Sequence, residues 1–310
     1  MNIAYLILAH HQPAHLARLI KALSCDGASF LVHVDLKTDI SPFNVLVPAS
    51  KNIIFLANAT RVKVHWSGYS IVLATLNLLR AAMALGVHFT RYCLLSGSDF
   101  PIKKNSQIME VLSTKTEFLR VDRKLDYKKN DPYSETVKYL HLYDSCFLNP
   151  RTTPSKRLFL TTERVLRKIP RQRYQKIPLY QGSQWWALTD RCVAHIVQFL
   201  EENSDYIAFH KYTRVPDETF FHSIIKSSPF AECISHDVEK VESLNRCFES
   251  NEHGCHYIDW NSRGAILPKV LDVSDTELLM RSTAVFARKF EENRSTGLLN
   301  QLEEMIQADC

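Results

Sequence analysis

Two short apolar runs at the start of the chain enclose a segment with helical spacing. Residues 1–9 and 30–34 each have the length and composition of a buried strand. The apolar positions that recur at helical spacing between them are Leu16, Leu19, Ile20 and Leu23. A strand, a helix and a second strand within about 35 residues predict a βαβ unit, which requires a parallel sheet. In such a sheet the ligand crevice lies beyond the carboxyl ends of the strands.

The same pattern continues beyond this unit. Residues 53–56 and 92–95 predict further strands, and residues 72–83 predict a helix. The polar residues that follow the strands at the expected sheet edge are His10, His11, Asp35 and Asp99. No Gly-x-Gly-x-x-Gly follows the first strand, and no Gly-x-x-x-x-Gly-Lys occurs in the chain. The first part of the chain is therefore predicted to be the nucleotide-binding half. The sequence supports neither a dinucleotide fold nor a P-loop.

The composition is that of an ordinary globular protein. Of 310 residues, 45% are hydrophobic, with only 8 Gly and 12 Pro, so the chain can bury a sizeable core. Its eight cysteines include no Cys-x-x-Cys pair, which fits neither a zinc module nor a dense disulfide framework. The apolar start is too short to span a membrane and lacks a basic region or a cleavage site. We therefore expect a reducing compartment and a cytoplasmic protein.

The positive charge is concentrated in one basic segment, residues 151–176. This segment has nine Lys or Arg against one acid, in a chain whose net charge is +5. Its cations are Arg151, Lys156, Arg157, Arg164, Arg167, Lys168, Arg171, Arg173 and Lys176. Such a patch suits an anionic membrane or an anionic acceptor, although a solvated helix face has the same composition. Few aromatic residues are available to stack on bases, so nucleic acid is not an expected partner.

Two adjacent carboxylates follow a proline at residues 216–218. The apolar residues that come next at helical spacing are Phe220, Phe221, Ile224 and Ile225. A helix is therefore expected to begin here, with Asp217 as its N-cap. Capping uses one acid and leaves Glu218 available for chemistry. Alternatively, both carboxylates simply complement the helix dipole.

Two later segments combine aromatic and polar residues. Residues 182–188 predict a strand with two tryptophans, which are either plain core or the flat apolar face that sugar sites favour. Residues 286–290 place Arg288 and Lys289 between two phenylalanines. A bidentate Arg fork and a Lys point charge would hold a pyrophosphate, although an ordinary amphipathic surface has the same pattern.

No metal site is predicted. The chain contains no Asp-x-Asp. His11 and His15 are four residues apart, but Pro13 lies between them where a helix only starts. No third ligand is evident for this pair.

Six short blocks resemble the core-2/I-branching β-1,6-N-acetylglucosaminyltransferases, whose relatives include the peptide O-xylosyltransferases. The blocks are residues 33–37 (His-Val-Asp-Leu-Lys), 65–68 (His-Trp-Ser-Gly), 95–103 (Leu-Ser-Gly-Ser-Asp-Phe-Pro-Ile-Lys), 182–185 (Gly-Ser-Gln-Trp), 216–218 (Pro-Asp-Glu) and 286–290 (Phe-Ala-Arg-Lys-Phe). Each block alone is weakly specific. Six in the right order, through most of the chain, are highly specific.

The resemblance implies a GT-A-like α/β fold, with a mostly parallel central sheet flanked by helices. It implies one domain over residues 1–310, with a nucleotide-binding half at 1–121 and an acceptor-binding and catalytic half at 122–310. The implied reaction is an inverting, metal-independent sugar transfer from a UDP-sugar to a hydroxyl of a glycan acceptor, without a cofactor. Glu218 matches the catalytic base. The implied substrate-binding residues are Asp35 at the uracil, Arg288 and Lys289 at the diphosphate, and Trp66, Asp99, Gln184, Trp185 and Asp217.

The chain also departs from the animal members of this family. Those are Golgi proteins with an N-terminal anchor, a stem and several disulfides, none of which is evident here. We therefore expect a bacterial, intracellular member, peripheral on the inner membrane, that builds surface polysaccharide or lipooligosaccharide. GlcNAc is the first donor sugar to consider, with xylose or another hexose as alternatives, and the acceptor is a glycan or lipid-linked glycan.

Some contacts stay open. The branching enzymes use an additional Arg ahead of the last strand, and either His256 or Arg263 stands near that place here. Residues 122–150 match nothing in the acceptor-binding region of the family. The alternatives from other classes are a non-catalytic nucleotide-sugar or glycan-binding module and a membrane-associated interaction protein.

Overall fold

The structure, a computed structural model, describes residues 1–169, 171–242, 251–262 and 265–307. Its strands are β1 (Ile3–Ala9), β2 (Ala28–Val34), β3 (Ile53–Phe55), β4 (Arg91–Ser96), β5 (Asp99–Pro101), β6 (Glu117–Lys124), β7 (Tyr180–Gly182), β8 (Ala187–Thr189), β9 (Ile234–Asp237), β10 (Glu252–His253), β11 (His256–Ile258) and β12 (Phe286–Arg288). Its α-helices are α1 (Pro13–Leu23), α2 (Ser41–Leu46), α3 (Ser70–Ala84), α4 (Asn105–Leu112), α5 (Glu135–Lys138), α6 (Lys156–Leu166), α7 (Asp190–Glu202), α8 (Ser204–His210), α9 (Phe220–Lys226), α10 (Val238–Glu242), α11 (Thr276–Arg281) and α12 (Glu292–Gln307). Short 3-10 helices occupy Pro216–Glu218, Ala231–Cys233 and Val273–Asp275. Across these ranges, no helix has both the length and the apolar character needed to cross a membrane.

The larger sheet is parallel through the first half of the chain and mixed beyond it. Its order is β3-β2-β1-β4-β8-β6-β7, and β9 also pairs with β6. Strands β1 to β4 are parallel, with α1 between β1 and β2, so the predicted βαβ unit is confirmed. Strand β8 is antiparallel to β4, and β7 is antiparallel to β6. The predicted α/β class, with helices flanking a central sheet as a GT-A-like fold requires, is confirmed.

The first strand shows why its sequence is continuously apolar. Ile3, Tyr5 and Ile7 pack into one core with residues of α1 and α12, whereas Ala4 and Leu6 pack into a second core with residues of α3 and α7. Successive side chains of a strand point to opposite faces of the sheet. Helices on both faces therefore bury every position of this strand except the half-buried Leu8, as is typical of parallel sheets.

A smaller sheet joins the later part of the chain to this first half. Its order is β10-β11-β12-β5. Strand β5 follows directly after β4 and is antiparallel to β12, so that Asp99 lies opposite Arg288. The carboxyl end of β4 and the 286–290 segment therefore meet at one edge of the molecule.

The single strand predicted over residues 182–188 is wrong. Strand β7 ends at Gly182 and β8 begins at Ala187, so both tryptophans lie in the connection. A Cβ at Gly182 would collide with the carbonyl oxygen of Arg120 on β6. Only glycine allows this close approach of the two strands, and the backbone leaves the sheet immediately afterwards.

Candidate active site

An open cavity of about 290 Å³ has Glu218 on its wall. The rings of Trp66, Tyr133 and Tyr143 form part of the lining, and Arg214 contributes a cation. Small-molecule sites usually start near about 300 Å³. The cavity therefore has room for one sugar-sized ligand between aromatic faces and an acid.

A tight turn holds Glu218 at this wall. The Pro216–Glu218 3-10 helix follows Val215, whose φ is 47°. The Glu218 Oε2 atom accepts a hydrogen bond from Gln181 Nε2 at 2.9 Å. Burial raises the pKa of Glu218, the hydrogen bond from Gln181 opposes this, and the Asp122 charge adds to it. A carboxylate with a raised pKa is the stronger base once ionised, which suits proton abstraction near neutral pH.

The turn is strained and is fixed at both sides of the cavity. A β-branched residue such as Val215 rarely adopts a left-handed conformation. Its N–H donates to the Ser67 carbonyl at 2.9 Å, and the N–H of Arg214 donates to the Thr136 carbonyl at 3.1 Å. Strain of this kind concentrates at functional sites, so the turn supports the assignment of the cavity as the site.

Asp217 is not the N-cap of a helix, and that prediction is wrong. It lies inside the 3-10 turn, which Thr219, with φ −129°, separates from α9. Thr219 is the residue before α9, and it makes no side-chain capping hydrogen bond. Burial, and then the neighbouring Glu218, raises the pKa of Asp217. Asp217 therefore keeps its proton at a pH where an exposed Asp is ionised, and the two acids resist simultaneous ionisation.

Several buried polar atoms without a partner lie on the cavity wall or on segments next to it. Those with no hydrogen bond within the described chain include Ser67 Oγ, Gln181 Oε1, Gln184 Nε2, Asp217 Oδ1 and Thr219 Oγ1. Buried polar groups are normally hydrogen-bonded. A polar ligand in the cavity could supply partners for Ser67 and Gln181, which line it. The predicted residues Gln184 and Asp217 have unpartnered atoms but do not line the cavity.

Asp99 is the centre of a separate buried cluster. Its carboxylate accepts from the Ser96 N–H at 2.8 Å and from the Ser96 hydroxyl at 2.7 Å. His256 Nε2 lies 3.3 Å from Oδ2, and Arg288 Nε lies 3.7 Å from Oδ1. Burial alone would raise the pKa of Asp99, but Arg288, His256 and the hydrogen bonds hold it below its usual value. Because Asp99 is fully buried, it contacts these neighbours and not solvent.

Arg288 joins this cluster to Trp185. The guanidinium carbon lies 4.2 Å from the centroid of the Trp185 ring. Desolvation lowers the pKa of Arg288, and Asp99 opposes this effect. The structure therefore brings three predicted residues together, and the indole face expected for a sugar is covered by the guanidinium.

His256 is an internal partner of Asp99. It lies in β11 and is fully buried. Arg263, the other residue considered for an additional diphosphate contact, lies outside the described residues. The structure thus shows a place for His256 within the Asp99 cluster.

The carboxyl ends of β1 and β2 form the predicted polar edge. Asp35 is largely buried and accepts from the Lys37 N–H at 2.9 Å. The His10 ring stacks on His11, with centroids 4.1 Å apart. Burial, and then His11, lowers the pKa of His10 to about 4, while Asp35 opposes and Lys289 adds to this. Asp35 and Lys289 are thus among the charges that act on His10 at this edge.

The two cations predicted as one clamp have different surroundings. Arg288 packs within the Asp99 cluster, whereas Lys289 is partly exposed and its Nζ lies 2.7 Å from Glu291 Oε1. The structure therefore separates an Arg anchored on Asp99 from a partly exposed Lys paired with Glu291. Over the described ranges, no three or more His, Cys, Asp or Glu side chains are grouped to hold a metal ion.

Only part of the cavity lining is predictable from the sequence. Trp66 was predicted, and its half-exposed ring lies beneath the Arg151 guanidinium, 4.1 Å from its centroid. Gln181 was not predicted. Its only indication in the sequence is its position directly before one of the six blocks. Tyr133 and Tyr143 come from the region that matched nothing, and only the fold brings them to Glu218.

Most of the sequence matches the model of a known protein family. The family model described as Core-2/I-Branching enzyme matches residues 3–277. The chain therefore belongs to the Core-2/I-branching enzyme family, and the resemblance drawn from the six blocks is confirmed.

Curated proteins similar to this chain include several named xylosyltransferases. The Xylosyltransferase of Ciona intestinalis is 24% identical over 317 residues, which cover 100% of this chain and 34% of that protein. Xylosyltransferase 2 of Bos taurus is 25% identical over 308 residues, covering 98% of this chain and 33% of that protein. The chain thus spans about a third of the length of these curated relatives.

Two solved glycosyltransferase structures are distantly similar in shape. The galactosyltransferase LgtC, in complex with donor and acceptor sugar analogs, has 8% identity and a TM-score of 0.36, covering 99% of this chain and 95% of that chain. Mouse xyloside xylosyltransferase 1 has 10% identity and a TM-score of 0.35, covering 93% and 97%. Superpositions this loose carry no argument about the site.

Proposed function

We propose that this chain is an inverting glycosyltransferase that moves a sugar from a UDP-sugar to a hydroxyl of a glycan acceptor. The observation that supports this most is Glu218, a carboxylate of raised pKa on the wall of a sugar-sized cavity. Membership of the Core-2/I-branching family supports the same reaction class. Inversion needs one base on the face of the sugar opposite the leaving group, and Glu218 is the proposed base.

In the proposed step, the acceptor oxygen attacks the anomeric carbon while the bond from that carbon to UDP breaks. The hydroxyl proton passes to Glu218. Because Gln181 donates to Oε2, Oε1 is the proposed proton acceptor. A protonated Asp217 avoids a second negative charge beside this base. Trp66, which stays half-exposed although Arg151 stacks on its ring, and Tyr143 line the cavity in which a sugar ring can pack.

The leaving UDP gains negative charge on its β-phosphate, which fixed positive charge can stabilise. We assign this role to Lys289 at the sheet edge and to Arg288, which Asp99 and Trp185 hold in place. Asp35 at the same edge is assigned to the uracil. The proposed reaction uses neither a divalent metal nor a cofactor.

The substrates and the location belong to the same proposal. GlcNAc is the first donor sugar, on the strength of the six blocks, and the names of the relatives favour xylose as the second. The acceptor is proposed to be a glycan or lipid-linked glycan of bacterial surface polysaccharide or lipooligosaccharide. The protein is proposed to act in the cytoplasm, on the inner membrane.

Release of UDP tests the proposal. The protein is incubated with UDP-GlcNAc, UDP-xylose, UDP-glucose or UDP-galactose, alone and with glycan acceptors, and free UDP is measured. We expect one donor to release UDP slowly alone and faster with an acceptor, and the product to show an inverted anomeric centre by NMR. Binding of UDP-sugars without release under any pairing would identify a non-catalytic binding module instead.

A further inference from the structure

Helix α6 has an uncovered amphipathic face. No residue of α6, which is described throughout, is buried. Leu158 and Val165 have exposed fractions of 51% and 55%, and because they are seven residues apart they lie on one stripe. Arg157 and Arg164 are also seven apart and form the neighbouring stripe. An exposed helix with apolar and basic stripes side by side has the pattern of a helix that lies in a membrane interface.

The opposite face of α6 packs on the wall of the Glu218 cavity. The Phe159 ring centroid lies 5.9 Å from that of Tyr143, which lines the cavity. The Arg167 guanidinium lies 2.9 Å from Glu135 of α5, and the next residue of α5, Thr136, also lines the cavity. One helix therefore has the candidate active site on one side and an uncovered apolar and basic face on the other.

The end of the basic segment is engaged within the protein and does not belong to this face. The Arg171 guanidinium donates to the carbonyls of Val137 and Tyr139 at 3.1 and 2.9 Å, and burial lowers the pKa of Arg171 to about 10. Lys176 Nζ lies 2.9 Å from Asp205 Oδ1. Within the basic segment, the cations available to an external partner therefore lie mainly on α6 and directly after it.

We propose that α6 docks on an anionic lipid bilayer, with Leu158 and Val165 at the acyl boundary and the arginines at the headgroups. Long cationic side chains can reach headgroups while their stems cover apolar surface. A second copy of the chain would bring the same cations face to face, which disfavours a homodimer through this surface. If the proposed function holds, docking places the Glu218 cavity beside the membrane, where the acceptor would be a lipid-linked glycan.

Vesicle flotation at low salt tests the docking. The full chain is mixed with phosphatidylcholine vesicles with and without phosphatidylglycerol, and the bound fraction is measured for the parent and for variants. The apolar variant is Val165→Asp, matched by Val45→Asp, whose site on α2 has an exposed fraction of 80%. The charge variant combines Arg157→Glu with Arg164→Glu, matched by Lys51→Glu with Lys115→Glu at two other exposed positions. Melting temperatures confirm that all variants fold.

We expect binding only to the anionic vesicles and its loss at high salt. The Val165→Asp variant should bind at least about tenfold more weakly than the parent. The double arginine variant should bind at least about 25-fold more weakly, because each basic residue near an anionic surface contributes about fivefold. Both controls should stay within about threefold of the parent. The proposal is overturned if the parent does not bind, or if both α6 variants bind like their controls. It is equally overturned if ultracentrifugation shows a dimer or a protein complex that Val165→Asp dissociates.

Failure of docking and failure of the proposed reaction can be told apart. The Glu218→Gln variant should float with vesicles like the parent, because Glu218 faces the cavity. The Val165→Asp variant should release UDP from a soluble donor like the parent. Turnover without vesicle binding would refute the docking proposal alone. Vesicle binding by a protein without turnover would refute the proposed reaction alone.

Discussion

Asp99 and the Asp217–Glu218 pair are buried acids in opposite surroundings. Asp99 accepts two hydrogen bonds from Ser96 and lies beside Arg288, and its pKa is lowered. Asp217 has a buried oxygen without a partner in the described chain, and the pKa of each member of the pair is raised. Asp99 therefore has the features of an anchor and the pair those of a proton acceptor. A buried acid points to chemistry when its environment leaves it poorly satisfied.

The comparison predicts its largest effect at Glu218. Glu218→Gln keeps the size of the side chain but cannot accept a proton, so turnover should fall by a factor of about 10² to 10⁴. The melting temperature and the UDP affinity should stay near those of the parent. Steady-state release of UDP measures the turnover, and calorimetry measures the melting temperature and the UDP affinity. Glu110→Gln, at an exposed position of α4, is the matched control. Near-parental turnover would move the search for the base to Asp217.

The second effect separates the anchor from the base. Asp99→Asn leaves Arg288 without its buried counter-charge, and breaking such a pair costs about 3 kcal/mol or more. Urea unfolding should show this loss, whereas Asp26→Asn at an exposed position should leave stability unchanged. If Asp99→Asn were as stable as the parent but lost all turnover, Asp99 would be a catalytic group and the contrast would fail.

The third effect distinguishes the two cations. Lys289→Ala should weaken UDP binding about ten- to hundredfold without loss of stability, because a charge-assisted contact contributes about 1.5–3 kcal/mol. Arg288→Lys should lose both UDP affinity and stability, since a point charge cannot replace the fork beside Asp99. Glu291→Gln, which removes the partner of Lys289, should bind UDP at least as tightly as the parent. Calorimetry measures all three, and parental affinity in both cation variants would rule out the clamp.

The sequence specified the parallel half better than the site, for physical reasons. Strand β1 is buried on both faces, so its apolar run predicts it directly. The turn at Asp217 could not be predicted from helical spacing, because Thr219 leaves the helical conformation and separates the acids from α9. Tyr143 reaches the cavity through tertiary packing alone. The local pattern thus singled out the two adjacent acids, whereas tertiary packing determined which aromatic rings lie near them.

The two acids also predict opposite pH dependences of stability. The folded pKa of Asp99 is lowered, so its contribution is present above the unfolded pKa, about 3.9, and is lost as pH falls through the folded pKa. The folded pKa of Asp217 is raised, so its contribution is present below the unfolded pKa and is lost as pH rises through the folded pKa.

Unfolding in urea from acid to alkaline pH measures this contrast. Relative to the parent, Asp217→Asn should become more stable as pH rises, and Asp99→Asn should become less stable. The difference in unfolding free energy between each variant and the parent changes in opposite directions, and the two differences should move apart by about 1 kcal/mol or more across the pH range. Parallel curves for the two variants would mean that the acids have similar environments.

The smallest expected effect is that of metal removal. The proposal assigns the charge on the leaving diphosphate to Arg288 and Lys289, and a chelator does not remove side-chain cations. UDP release in excess EDTA should therefore stay within about twofold of its rate without EDTA. Lys289→Ala makes the test sharper, because its missing charge belongs to the protein and added Mg²⁺ should not restore its rate. Loss of activity in EDTA that Mn²⁺ or Mg²⁺ restores would instead assign the diphosphate to a metal ion, and Lys289 would lose its proposed role.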